Sequence, residues 1–262
     1  MTNSRHQVIY QGQNQTQELR SAEITLTQIA NNLAMLHERL ACAVKRAGRS
    51  PEEITLMAVS KFATVEKILA AFEAGQRLFG ESRIQESQDK ILTLREEIPE
   101  ARWSLIGHLQ SNKAAKALEL FDEAQSIDSL KVARKLNEQA LKMDKTFEVM
   151  LEVNCSGEAQ KYGATFDEAP GLAEQITKLA GIKLTGLMTI GPNTRNEKVI
   201  REAFAKTREL YESLRPCFVQ SRLYNATGQL SMGMSADFEV ALDEGATLIR
   251  IGTAIFGPRE LP

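Results

Sequence analysis

The feature that most constrains the fold of this 262-residue chain is a regular alternation of short apolar segments with amphipathic ones. The apolar segments have the length of β-strands, and each but the last is followed by apolar residues at helical spacing. The predicted strands are 54–60, 77–80, 102–107, 123–127, 146–154, 182–190, 230–232 and 247–251, and the predicted helices are 65–74, 84–97, 111–120, 130–142, 167–179, 197–214 and 236–244. Eight strands with intervening helices predict an α/β fold, the closed (β/α)8 or TIM barrel.

Two further segments precede the first strand. Residues 1–20 are rich in Gln and Asn and have few apolar anchors, which predicts a disordered tail. From Ser21 to about Ala47 apolar residues follow helical spacing, and Gly48 is placed to end this leading helix. We therefore expect a single domain over 21–262. An open doubly wound sheet is the alternative architecture, but no Gly-x-Gly-x-x-Gly sequence follows the first strand.

The composition favours a small-molecule partner. A net charge of −2 provides no global field that would attract nucleic acid or an acidic membrane surface. The three cysteines are widely separated and the three histidines show no ligand spacing to them, so we expect neither disulfides nor a metal site. No apolar run reaches the roughly 18 residues of a membrane span, and no signal-peptide core is present. We expect a cytoplasmic protein, and the polar helix faces indicate a monomer.

A lysine ends the first predicted strand. Functional groups in such barrels collect at the carboxyl ends of the strands, and Lys61 occupies that position directly after Ser60. A lysine that is partly desolvated and close to other cations can lose its proton, and the neutral amine can then condense with a carbonyl to a Schiff base. By itself, however, a lysine at a strand end is ordinarily just solvated.

The last two β/α units have the residues of a phosphate site. Loops after strands seven and eight, together with a helix N-terminus, often hold phosphate in these barrels. Ser235 is expected to be the N-cap of helix 236–244, and Gly233 would let the backbone approach a ligand closely. Gly252 and Thr253 follow strand eight and would add two further phosphate contacts.

An arginine interrupts the apolar run of the eighth strand. Arg250 is flanked by isoleucines on both sides, and a guanidinium that points into a barrel must be paired or must face a ligand. A salt bridge to a strand-end carboxylate such as Glu81 or Glu152 is the structural alternative. Together with Lys61 and the phosphate residues, Arg250 predicts a phosphorylated carbonyl cofactor held covalently.

Five segments in order along the chain carry a family resemblance. They are LMAVSK at 56–61, FGESRIQE at 79–86, WSLIGHLQSNK at 103–113, LMTI at 187–190, and the stretch from Leu230 to Gly257. From about Leu33 to Arg259 the chain resembles the YggS/PROSC-type pyridoxal phosphate homeostasis proteins. The resemblance implies a fold-type III barrel similar to the N-terminal domain of alanine racemase.

The resemblance also implies a cofactor and its site. Pyridoxal 5′-phosphate would be bound as an internal aldimine to Lys61, with its phosphate on Ser235, Gly252 and Thr253 and its pyridine nitrogen near Arg250. The family usually has asparagine at the position of Ser82, so a polar contact beside the ring is expected to be shortened or replaced by water.

The arginine favours a carrier over a catalyst. An arginine cannot protonate the pyridine nitrogen as a carboxylic acid would, so the ring is a poorer electron sink. Racemases of similar fold add an acid/base tyrosine from a C-terminal domain, which we expect to be absent because the chain ends at Pro262. We expect a protein of vitamin B6 homeostasis that passes cofactor transiently to apo-enzymes and is not itself an enzyme. The alternatives are a pyridoxal-dependent amino acid racemase or lyase, and a Schiff-base aldolase for a phosphorylated sugar.

Overall fold

The computed structural model describes residues 26–158, 160–224 and 226–258. It shows a closed barrel of eight parallel strands in chain order. The strands are β1 (Thr55–Val59), β2 (Leu78–Glu81), β3 (Arg102–Leu105), β4 (Glu123–Ile127), β5 (Phe147–Val153), β6 (Ile182–Thr189), β7 (Gln229–Ser231) and β8 (Leu248–Ile251). The predicted (β/α)8 barrel is confirmed, whereas the expected tail at 1–20 lies outside the described residues.

Helices cover the outside of the barrel. They are α1 (26–46), α2 (Val65–Glu73), α3 (Ile84–Glu97), α4 (Ala114–Leu120), α5 (Leu130–Lys142), α6 (Ala169–Thr177), α7 (Glu197–Leu214), α8 (Phe238–Asp243) and α9 (Thr253–Phe256). Short 3-10 turns lie at Pro51–Glu53, Ser111–Lys113 and Arg215–Cys217. The expectation that no helix follows the last strand was wrong, because α9 begins two residues after β8.

The strands are buried on both faces because both faces are covered. All seven residues of β5 are buried, as is typical of a strand between helices and a barrel interior. A layer of large side chains fills the middle of the barrel, namely Met57, Leu78, Met150, Met188 and Leu248. The interior is therefore a packed core and not an open channel.

Pairing between β1 and β8 closes the barrel. Met57 lies opposite Arg250 in this pairing, so the two ends of the chain become neighbouring strands. In a parallel barrel all carboxyl ends lie on one rim, and the segments after Val59 and Ile251 therefore meet there.

The leading helix α1 packs against the last β/α units. Its buried face is formed by Ile29, Leu33, Leu36 and Leu40. The Asn32 side chain donates to the carbonyl of Ile255 at 2.8 Å, and Arg39 pairs with Glu239 at 3.0 Å. Gly48 follows α1 with a φ of +68°, the left-handed conformation predicted for the helix end.

Two expected absences concern membranes and metals. Within the described residues, no helix combines the length and the apolar character that crossing a bilayer requires. The same residues contain no group of three or more His, Cys, Asp and Glu side chains able to hold a metal ion.

Candidate functional site

A cavity of about 300 Å³ opens at the carboxyl ends of β1 and β8. Its size is at the lower end of the range for small-molecule sites. All five residues predicted for the site lie on its wall: Lys61, Ser235, Arg250, Gly252 and Thr253. The structure therefore brings together residues that are up to 192 positions apart in the sequence.

The wall of this cavity is basic. Lys61, Lys67 and Arg250 contribute to it, and no acidic side chain is among the described residues that line it. The remaining lining is apolar or hydroxylic, with Phe62 exposed at the rim. Because the charged side chains on this wall are all basic, the cavity favours an anionic ligand.

The backbone that leads into Lys61 is held by a buried ion pair. Ser60 donates its hydroxyl to Glu81 at 2.6 Å, and its amide N–H donates to the carbonyl of Gly80 at 2.9 Å. Lys90 pairs with Glu81 at 2.7 Å and also donates to the carbonyl of Ser60 at 2.9 Å. We call this arrangement of Ser60, Glu81 and Lys90 the Ser60 clamp. It fixes the position of the backbone from which the Lys61 side chain extends. The prediction did not include Lys90, although it lies on the helix that follows the Phe-Gly-Glu segment.

Arg250 points into the barrel and is 4% exposed. Its guanidinium donates to the hydroxyl of Ser231 and to the carbonyl of Thr189, both at 2.6 Å. Among the described residues it forms no ion pair with Glu81 or Glu152, so the salt-bridge alternative was wrong. Burial lowers the pKa of Arg250 to about 10, which leaves the guanidinium charged at neutral pH.

Glu152 is a buried carboxyl near the end of β5, on the cavity side of the interior layer. It is 5% exposed, and burial raises its pKa to about 7, with a further contribution from the charge of Asp128. The nearby charge of Arg250 opposes this shift. Arg250 is thus accompanied by a carboxyl group that is only partly ionised at neutral pH.

The cap of α8 differs from the prediction. Ser235 lies half-buried on the cavity wall but is not the N-cap, because α8 begins at Phe238 and the N-cap position is Asp237. The Asp237 carboxylate accepts from the N–H of Met234 at 2.6 Å and forms a turn that brings Ser235 to the cavity. Burial raises the pKa of Asp237 despite this hydrogen bond.

Glycines allow close packing around the part of the wall formed by the segments after β7 and β8. Gly233 has a φ of +92°, and a Cβ at this position would lie 2.6 Å from the Cβ of Ala241. At Gly252 a Cβ would lie 3.2 Å from the carbonyl oxygen of Val59. Larger residues at these two positions would push apart the segments that form the cavity.

The sequence prediction missed a set of polar side chains inside the barrel. Glu123 and Gln125 of β4 and Ser231 of β7 are fully or almost fully buried and are connected by hydrogen bonds to Arg250. The signal was present, because Glu123 and Gln125 alternate at strand spacing within an otherwise apolar pattern.

Fold and site together define a (β/α)8 barrel protein with a basic pocket that contains a lysine. The sequence model of the family described as alanine racemase, N-terminal domain, matches residues 24–260. Pyridoxal phosphate homeostasis proteins of Vibrio alginolyticus and Escherichia coli K12 are 39% and 40% identical to the chain. These matches cover 237 and 236 residues, 90% of this chain in both cases, and 99% and 98% of the relatives. The chain therefore belongs to the alanine racemase N-terminal-domain family and, within it, to the pyridoxal phosphate homeostasis proteins.

Solved structures of similar proteins agree with this assignment. A protein of unknown function from Bifidobacterium adolescentis has a TM-score of 0.80 at 36% identity, covering 88% of this chain and 96% of that one. PipY of Synechococcus elongatus, solved with PLP bound, has a TM-score of 0.73 at 34% identity. This match covers 88% of this chain and 100% of PipY. Alanine racemase of Corynebacterium glutamicum shares the fold, with a TM-score of 0.65 at 16% identity. This match covers 90% of this chain and 62% of the racemase. The predicted family resemblance is confirmed.

Proposed function

We propose that this protein binds pyridoxal 5′-phosphate, with Lys61 as the covalent anchor, and takes part in vitamin B6 homeostasis. The proposal rests mainly on one observation. A single cavity is lined by Lys61, Ser235, Arg250, Gly252 and Thr253. The names of the relatives and the presence of PLP in PipY support it.

The donor set of the cavity fits this cofactor. When bound, pyridoxal phosphate supplies an aldehyde that condenses with a primary amine as water leaves. Lys61 supplies the amine from a backbone that the Ser60 clamp holds in place. The hydroxyls of Ser235 and Thr253 suit phosphate oxygens, and Gly252 allows them a close approach.

We assign Arg250 to the ring nitrogen of the cofactor. Its guanidinium is fixed by two hydrogen bonds and remains charged at neutral pH, so it can donate a hydrogen bond without giving up a proton. A ring nitrogen without its own proton withdraws electrons weakly. The protein is accordingly a carrier with little or no turnover, rather than a racemase or a lyase.

The carrier hypothesis extends to partners and location. We propose that the protein acts as a monomer in the cytoplasm and passes its cofactor transiently to apo-enzymes. The three cysteines are thiols, which suits a reducing compartment. The cavity opens at the barrel rim beside the exposed Phe62, so a recipient can approach it directly. We expect light scattering of the purified holo-protein to give the mass of one chain. The mass of a dimer would contradict the proposed monomer.

Adduct mapping tests the anchor. Borohydride reduction of protein incubated with pyridoxal phosphate should give a stable adduct on Lys61 by peptide mass spectrometry. Lys61→Ala should abolish that adduct, while Lys67→Ala removes the other lysine of the cavity wall and should leave it in place. An adduct that persists in Lys61→Ala, or a wild-type protein that yields none, would refute the assignment.

Proton exchange tests the absence of turnover. Holo-protein incubated in deuterated water with each common amino acid should leave the Cα proton unexchanged. Alanine racemase activity or deuterium at Cα above that of the Lys61→Ala protein would show that the site is catalytic.

A further inference from the structure

A line of hydrogen bonds runs through the barrel interior, away from the proposed cofactor site. Arg250 donates to the hydroxyl of Ser231 at 2.6 Å, and Ser231 donates to the side-chain carbonyl of Gln125 at 2.7 Å. The amide nitrogen of Gln125 donates in turn to Oε1 of Glu123 at 2.7 Å. We call these four side chains the interior relay.

The relay has a fixed direction. A guanidinium has only donors, so Ser231 must accept from Arg250 and turn its own hydrogen toward Gln125. The Gln125 amide is then oriented with its oxygen toward Ser231 and its nitrogen toward Glu123. Ser231, Gln125 and Glu123 have no solvent exposure, so water does not compete for these bonds. A buried cation at one end is thus connected to a buried carboxyl at the other.

Glu123 collects further donors at the amino-terminal end of the barrel. Its Oε1 also accepts from the hydroxyl of Ser104 at 2.5 Å and from the hydroxyl of Tyr224, while Oε2 is buried with no partner among the described residues. The titratable groups that face it are Tyr224 from the loop before β7 and Glu148, its register partner on β5. Burial raises the pKa of Glu123 to about 7.

Packing alone does not require these polar groups. The same interior is filled elsewhere by Met57, Met150, Met188 and Leu248, and apolar residues avoid the desolvation that buried polar groups undergo. Arg250 is at the cavity end of the relay, and it is the only one of the four relay residues that lines the cavity. The arrangement therefore suits a set of side chains that orients the guanidinium.

We propose that Ser231 and Gln125 are positioning residues that connect the Glu123 carboxyl to Arg250 and thereby hold the guanidinium against the ring of the bound cofactor. The inference rests on the proposed function, because it assigns Arg250 to the pyridoxal phosphate ring. Removing the Ser231 hydroxyl takes away one hydrogen bond of the guanidinium, and removing the Gln125 amide takes away the acceptor that orients this hydroxyl. Either change should let the guanidinium turn away from the ring.

The test uses the visible absorption of cofactor-loaded protein. In Ser231→Ala and in Gln125→Met, the wavelength of the absorption maximum should differ from that of wild type. The pH at the midpoint of the absorption titration should differ as well. The apparent Kd for pyridoxal phosphate should rise about tenfold in Ser231→Ala, the effect of losing one hydrogen bond to a charged group, and should also rise in Gln125→Met. Ser231→Thr retains a hydroxyl and should recover the wild-type spectrum.

Thr185→Val is the matched control. Thr185 is a buried barrel residue whose hydroxyl donates to the carbonyl of Val149 at 3.1 Å, outside the relay. Its variant should keep the wild-type spectrum, whatever it does to stability. If reduced adduct forms on Lys61 but both relay variants keep the wild-type spectrum, titration and Kd, the inference is overturned and the proposed function stands. A wild-type protein without adduct would overturn both. If alanine at position 231 prevents folding, Gln125→Met decides the outcome.

Discussion

At the level of single residues, the barrel interior contains two carboxyl groups with pKa values of about 7, Glu123 and Glu152. The ordinary value is 4.5, and burial is the main cause of both shifts. Because the folded pKa is raised, the native state binds more protons than the unfolded chain between about pH 4.5 and pH 7. These residues therefore contribute stability that is fully present below pH 4.5 and is lost as the pH rises through 7.

Replacing Glu152 by glutamine should flatten this pH dependence. The neutral amide cannot ionise, so Glu152→Gln should be more stable than wild type at neutral pH by up to about 3 kcal/mol. Urea unfolding of cofactor-free protein at about pH 5 and about pH 7.5 measures the difference. Glu202→Gln, at an exposed site on α7, is the control and should follow wild type. An equal loss of stability with pH in Glu152→Gln and wild type would show that this carboxyl is not responsible.

At the level of elements, the predicted bounds agree with the structure wherever the start and stop signals are local. Segments 84–97, 123–127, 130–142 and 197–214 were predicted with the bounds that the structure shows. The start of α8 was predicted two residues too early, because Asp237 and not Ser235 is the N-cap position. Both residue types are good caps, so the local sequence offers two candidate starts and does not choose between them.

The cap of α7 allows a test at this scale. Asn196 precedes the helix, and its side-chain oxygen accepts from the N–H of Lys198 at 3.1 Å. Asn196→Ala should lower the free energy of unfolding by about 1 kcal/mol because one helix N–H loses its partner. Asn196→Asp keeps an acceptor and should remain within a few tenths of a kcal/mol of wild type. Denaturant unfolding measures both, and equal losses in the two variants would argue against capping.

At the level of the whole molecule, α1 connects the start of the described chain to its end. It packs its apolar face inward, reaches Ile255 through Asn32, and pairs with α8 through Arg39 and Glu239. Arg49 continues this contact by donating to the carbonyl of Ala246 at 2.6 Å. The helix therefore supports the two β/α units that bring Ser235, Gly252 and Thr253 to the cavity.

Alanine substitutions at two neighbouring residues of α1, one buried and one exposed, distinguish the loss of packing from a change in helix propensity. Leu36 is 2% exposed, and Leu36→Ala should cost roughly 2 to 5 kcal/mol of stability. Met35 is 56% exposed, so Met35→Ala should change stability by less than about 0.5 kcal/mol. Hydrogen exchange should show that residues 26–46 and 248–256 lose protection together in Leu36→Ala. Loss of protection confined to α1 would mean that the helix does not support the last β/α units.

The sequence by itself determined the barrel, the strand-end lysine, the family and five of the residues that line the cavity. These features depend on local hydrophobic period and on motifs that keep their order along the chain. Tertiary structure decided which partners the polar groups have: Ser231 and Thr189 for Arg250, and Glu123 for Tyr224, which lies 101 residues away. Such pairings depend on barrel closure and strand register, and a periodic pattern specifies which face of a strand is buried but not which distant side chain it meets.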